Sequence, residues 1–99
     1  MGKKATPEAK VPPKHRVIVE RKNLGRHKVD GENVVGFAYQ DEHRIVLENN
    51  LTAFSEMDTF IHEFLHIADK RMKEEKVNRI ATMLAQNMWR QGYRKVRVK

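Results

Sequence analysis

The alternation of apolar and polar positions divides the chain into three short apolar runs followed by two longer periodic ones. "RVIVE" (16–20) places three β-branched residues in a row and reads as a strand. "RKNLGRHKVDGEN" is polar and turn-rich, with Asp30-Gly31 as its turn signal. "VVGFAYQ" (34–40) is a second apolar run, in which Gly36 marks a bulge, and "RIVLE" (44–48) is a third. The short "DEH" between the last two runs predicts an antiparallel hairpin.

Beyond residue 50 the apolar period changes from two to that of a helix. Ser55 followed by Asp58 has the form of a capping box, so the first helix is expected from about Glu56 to Lys70. Met57, Phe60, Ile61, Phe64, Ile67 and Ala68 cover most of its circumference, as in a helix buried on several sides. A second helix is expected from Glu74 to Gln91, with Val77, Ala81, Leu84 and Met88 as its buried stripe and Gly92 as the stop. The expected fold class is α+β: a small, mainly antiparallel sheet packed on these two helices. Residues 1–14, rich in Lys, Ala and Pro, read as a disordered basic arm. The folded domain then spans 15–93, and 94–99 form a basic C-terminal extension.

Composition narrows the chemistry. At 99 residues the chain holds one domain with a thin core. It has no cysteine, which excludes disulfides and thiolate metal sites and leaves histidine and carboxylate as the metal donors. No apolar run suits a signal peptide or a membrane span, so a cytoplasmic protein with no membrane partner is expected. The formal charge of +7 is concentrated at the two ends, which makes the termini candidates for weak nucleic-acid contact. The oligomeric state is not encoded in any feature of this kind.

The candidate chemistry lies in "HEFLH". Histidines four apart lie on one helix face, so His62 and His66 can reach one tetrahedral ion. Glu63 is rotated by about 100° from His62, beside such an ion rather than on it. From there it can take a proton from a water and return it to a leaving amine. Zn²⁺ needs a third protein ligand, and Asp69, Glu74 and Glu75 are the nearby carboxylates. Asp69 shares the histidine face but continues a ladder along one helix, which suits it better to orient His66 than to bind the ion, or equally to stand as a helix-end carboxylate in solvent. In the second helix Glu74 falls on the flank of the buried stripe and Glu75 on the polar side, so periodicity favours Glu74 over Glu75. His15, His27 and His43 lack ligand spacing. Trp89 reads as core, and Tyr39 and Tyr93 as packing residues that could also stabilise an oxyanion. If "RIVLE" is a sheet edge beside the HEFLH helix, its backbone can pair with an extended peptide.

"HEFLH" followed by "EEKVN" resembles the gluzincin pattern, HExxH with ExxxD on a second helix. The resemblance implies Glu74 as third zinc ligand and Asn78 in the position that supports a ligand histidine, where the family has aspartate. "DTFIHEFLHIADKRMKEEKVNRIATMLAQNMWRQGYR" is similar to small metallopeptidases encoded by bacteriophages, over about half the chain, from Arg44 to Arg94. SprT-like and ImmA/IrrE-like peptidases are more distant likenesses. The interval from His66 to Glu74 is shorter than in most gluzincins, so a tight turn at "KRMK" is required. The resemblance implies a minimal zincin-like fold and a zinc-dependent metallopeptidase acting on a peptide or protein substrate, in the host cytoplasm if phage-encoded. A zinc-binding interaction or regulatory module without catalysis, and a basic nucleic-acid-binding protein with incidental histidines, are the alternatives.

Overall fold

The computed structural model describes residues 15–25, 28–29 and 32–96. The expected arm at 1–14, the Asp30-Gly31 turn, His27 and the last three residues of the basic extension lie outside these. The elements run β1 (Ile18–Lys22), β2 (Lys28–Val29), β3 (Glu32–Asn33), β4 (Gly36–Tyr39), β5 (Arg44–Glu48), α1 (Ala53–Ala68) and α2 (Glu74–Arg90). This is the expected α+β class. A three-stranded sheet of order β1-β5-β4 packs against two helices, and β2 and β3 form a separate two-stranded ladder.

The hairpin between β4 and β5 is antiparallel, with Tyr39 opposite Arg44 and Gly36 opposite Leu47. A 3-10 turn at Gln40–Glu42 connects them, closed by His43 in the left-handed region at φ 48°. β1 pairs with β5 in parallel, Ile18 opposite Arg44 through Lys22 opposite Glu48, so the main sheet is mixed. "RIVLE" is therefore the central strand, hydrogen-bonded on both sides, so the condition for peptide pairing along it is not met, and β4 and β1 are the edges. Central placement follows from its content: Ile45 and Leu47 are fully buried and Val46 nearly so. A strand covered on both faces is the one that can be apolar at consecutive positions.

β4 keeps regular register through Gly36, so that residue marks no bulge. Its lack of a side chain answers to a close approach by α1. A Cβ there would lie 2.8 Å from Thr59 Cγ2 and 3.3 Å from Glu63 Cγ. Glycine in a strand is the residue that permits such a contact.

α1 begins three residues earlier than expected. Thr52, not Ser55, is its N-cap: the Thr52 Oγ1 accepts a hydrogen bond from the Ser55 N–H at 3.2 Å. The helix ends at Ala68 with Asp69 as C-cap. Two faces of α1 are buried. Toward the sheet, Phe60 and Ile67 pack with Val17, Val19, Ala38, Ile45 and Leu47. Toward α2, Ile61 and Leu65 pack with Ala81, Ala85 and Met88. The small side chains of Ala81 and Ala85, almost wholly buried, let the two helices approach closely. α2 closes as its sequence predicts. Gly92 adopts φ 90°, its N–H bonds to the Trp89 carbonyl at 3.0 Å, and the Tyr93 N–H bonds to the Met88 carbonyl at 3.1 Å. This pair of bonds is a Schellman motif. No helix among the described residues is long and apolar enough to cross a membrane.

Candidate metal centre

With two faces of α1 buried, a third remains for His62 and His66. Their rings meet edge to face, with centroids 5.0 Å apart and Nε2 atoms 3.3 Å apart. Each side chain retains about a fifth of its exposure, which leaves the pair at the surface but not free in solvent.

The turn at 69–73 brings the carboxylate to them. The Asp69 Oδ1 accepts from the Arg71 N–H at 3.0 Å, and the Asp69 carbonyl accepts from the Met72 N–H at 3.1 Å. Asp69 is thus used up in reversing the chain, and its side chain serves the turn rather than His66. Glu74 follows as the first residue of α2, where the exposed N–H groups of a helix start favour a carboxylate. Its Oε1 lies 2.7 Å from His62 Nε2 and its Oε2 lies 3.0 Å from His66 Nε2. Glu75, one residue on, is exposed and outside the group, and Asn78 is also exposed.

One donor atom from each of His62, His66 and Glu74 falls within 4.8 Å of the others, an arrangement that can hold a metal ion. The donor set, two imidazole nitrogens and a carboxylate oxygen, is of a kind that suits zinc. Donors about 2.1 Å from a shared tetrahedral ion sit about 3.4 Å from one another. The two imidazole nitrogens, 3.3 Å apart, are already near that value, while each Glu74 oxygen sits closer, at 2.7 and 3.0 Å, to a different histidine, so an ion requires the carboxylate to draw back from both.

Glu63 points to another quarter of the helix, its stem lying against β4 at Gly36. Burial raises its carboxyl pKa to about 7, and the nearby negative charge of Glu74 pushes in the same direction. A carboxyl held there is poised between its two protonation states near neutral pH.

Two residues of the surroundings were absent from the sequence reading. Gln40, in the turn after β4, donates from Nε2 to the His66 carbonyl at 2.7 Å, which ties the histidine-bearing turn of α1 to the sheet. Lys70 adds a second tie through Asp41 at 2.6 Å. Neither has a sequence signal, because both depend on which loop the helix end meets. Gly36 did carry one: an isolated glycine in a strand indicates close backbone approach as well as a bulge. Tyr39 is partly exposed on β4, with the Arg44 guanidinium stacked 4.2 Å from its ring centre. Tyr93 lies on the other side of α1, away from the histidines. Trp89 is half-buried against Phe54, their ring centroids 5.4 Å apart.

Comparison with protein-family models, with curated proteins and with solved structures gave no match.

Proposed function

We propose that the chain is a zinc-dependent peptidase, with His62, His66 and Glu74 as metal ligands and Glu63 as general base and acid. The observation that carries this reading is the convergence of three metal-competent donors from two helices, with a sheltered carboxyl one residue from the first. A zinc ion held by the three would supply Lewis acidity. Glu63 takes a proton from the attacking water and passes it to the departing amine. The bare backbone at Gly36 lets the Glu63 stem lie close against β4, which supports a carboxyl position set by its surroundings.

The substrate would be an extended peptide. β4 is an edge of the three-stranded sheet as ordered among the described residues. A peptide pairing with that edge lies alongside Glu63. The short loop from α1 to α2, which sets this chain apart from most gluzincins, is accommodated by the Asp69 turn.

Metal analysis by inductively coupled plasma mass spectrometry, combined with hydrolysis of a quenched-fluorescent peptide library, tests the reading. Wild type carries about one zinc per chain, Glu74→Ala loses it and Glu75→Ala keeps it. Glu63→Gln keeps the metal and loses at least about 100-fold in rate. A folded protein that takes up no zinc refutes the assignment. Zinc uptake with no hydrolysis that depends on Glu63 leaves the alternative, a metal-stabilised interaction module.

A further inference from the structure

The fold leaves more apolar surface uncovered than its metal-binding face requires. Phe64 is 38% exposed, Leu84 43% and Tyr93 60%, and these are not scattered. With Met57, Phe60, Met88 and Trp89 they line one groove of about 640 Å³. Its walls are β1, α1, the second half of α2 and residues 93–95. Phe60 and Phe64 each stand two residues from His62, on the far side of the helix from the histidines. A contiguous patch of this kind marks an interaction site.

The rim is basic. Arg21, Arg94 and Lys95 stand around the apolar floor with Glu56 as the acid among them. The Glu56 carboxylate is shared, 2.8 Å from Arg21 Nη2 and 3.5 Å from Lys95 Nζ. Arg94 lies over Trp89, its guanidinium carbon 3.3 Å from the ring centre, and donates from Nη1 to the carbonyls of Trp89 and Tyr93. Three cations and one carboxylate give the lining a net formal charge of +2.

We propose that this groove docks an acidic amphipathic helix from a protein partner. Charge complementarity supplies the acidic flanks, and the floor supplies the apolar face. The stretch of α1 that forms the floor, Ala53 to Leu65, extends about 18 Å, which is about three turns of a bound helix. Anchors at i, i+3, i+4 and i+7 fill such a groove. A concave floor does not match a bilayer surface. The Trp89 face is already covered by Arg94, so it offers no platform for stacking a base. The site is separate from the metal centre and does not depend on zinc being bound.

Trp89 is the sole tryptophan of the chain, so its emission reports on the groove alone. The test uses full-length protein and a synthetic helical peptide of about 15 residues, with Leu and Phe on one face and Glu on the other. A second peptide has Lys in place of every Glu. Anionic vesicles of phosphatidylglycerol and a single-stranded DNA oligomer are run alongside. The expected result is a saturable blue shift with the acidic peptide, weakened by salt and unchanged by chelator. Leu84→Glu lowers affinity at least about tenfold, because it buries a charge against the acidic helix. Lys95→Glu, which leaves the floor intact, lowers it by about threefold or more. Met83→Glu, 62% exposed and outside the groove, stays within about twofold. The proposal is overturned by no saturable shift, by equal binding of the Lys peptide, by indifference to both groove variants, or by binding of vesicles or DNA in place of the peptide. Zinc content, measured on the same samples, keeps this outcome distinct from the fate of the peptidase reading.

Discussion

Gly36→Ala probes the contact that sets Glu63 against the sheet. The added Cβ would lie 2.8 Å from Thr59 Cγ2, 3.3 Å from Glu63 Cγ and 3.3 Å from the Val46 carbonyl oxygen. Carbon atoms in ordinary contact stand about 3.5 Å or more apart, so α1 must withdraw by about 0.7 Å or strain its side chains. Such overpacking costs about 1–3 kcal/mol. A term of opposite sign works through the unfolded chain, where alanine has less freedom to lose than glycine, and contributes about 0.4–1 kcal/mol of stability. Gly36 does not have a positive φ, so no conformational penalty is added. The net expectation is destabilisation by about 1–2 kcal/mol. Urea denaturation of the metal-free protein measures it. Thr59→Ser removes the nearest obstructing methyl, and in the double variant the two changes should couple favourably by about 1 kcal/mol. A Gly36→Ala protein as stable as wild type, or more so, would show that α1 does not press on β4 here.

Three further outcomes are expected. Thr52→Ala loses the true N-cap and costs about 1 kcal/mol, whereas Ser55→Ala, at the position the sequence singled out, stays within about 0.5 kcal/mol, both read by thermal unfolding. Zinc added at about 100 times its dissociation constant stabilises the fold by about 2.7 kcal/mol in calorimetry, an effect absent from His62→Ala and Glu74→Ala and retained in Glu75→Ala. The Arg21 hydrogen bond holds the Glu56 carboxyl below its ordinary pKa of 4.5, so its contribution is present above that value and is lost as pH falls through the lowered one. Glu56→Gln should therefore flatten the stability–pH curve in the acid range, and an unchanged curve would show that the pair adds nothing.

The helices and the central strand were the most legible parts of the sequence. Arg44–Glu48 and the start of α2 at Glu74 matched their expected bounds, because apolar periodicity and a first-turn carboxylate act locally. The assembly of His62, His66 and Glu74 was foreshadowed in the same way, by helical spacing and by the stripe that separated Glu74 from Glu75. What escaped depended on tertiary neighbours. β1 lies two residues later than "RVIVE" suggested, since pairing with β5 selects the register. The sequence left open whether "RIVLE" lies at an edge; its consecutive apolar residues suit a central strand, and pairing with β1 on one side and β4 on the other puts it there. Thr52 and Ser55 are both good caps by type, and only the path of the chain entering α1 decides between them.

The three donors lie between residues 62 and 74, inside one helical hairpin closed by the Asp69 turn. Bringing them together closes a single short loop, whereas the parallel pairing of β1 with β5 must join Ile18 to Arg44 across the intervening chain. On loop entropy and contact order the hairpin would be expected to form early in folding and the β1 pairing late. An ion captured by the hairpin would accelerate folding rather than only slow unfolding, since it fixes the helix whose Ile67 docks onto the strands. The metal group would then serve as a nucleus around which the sheet is built.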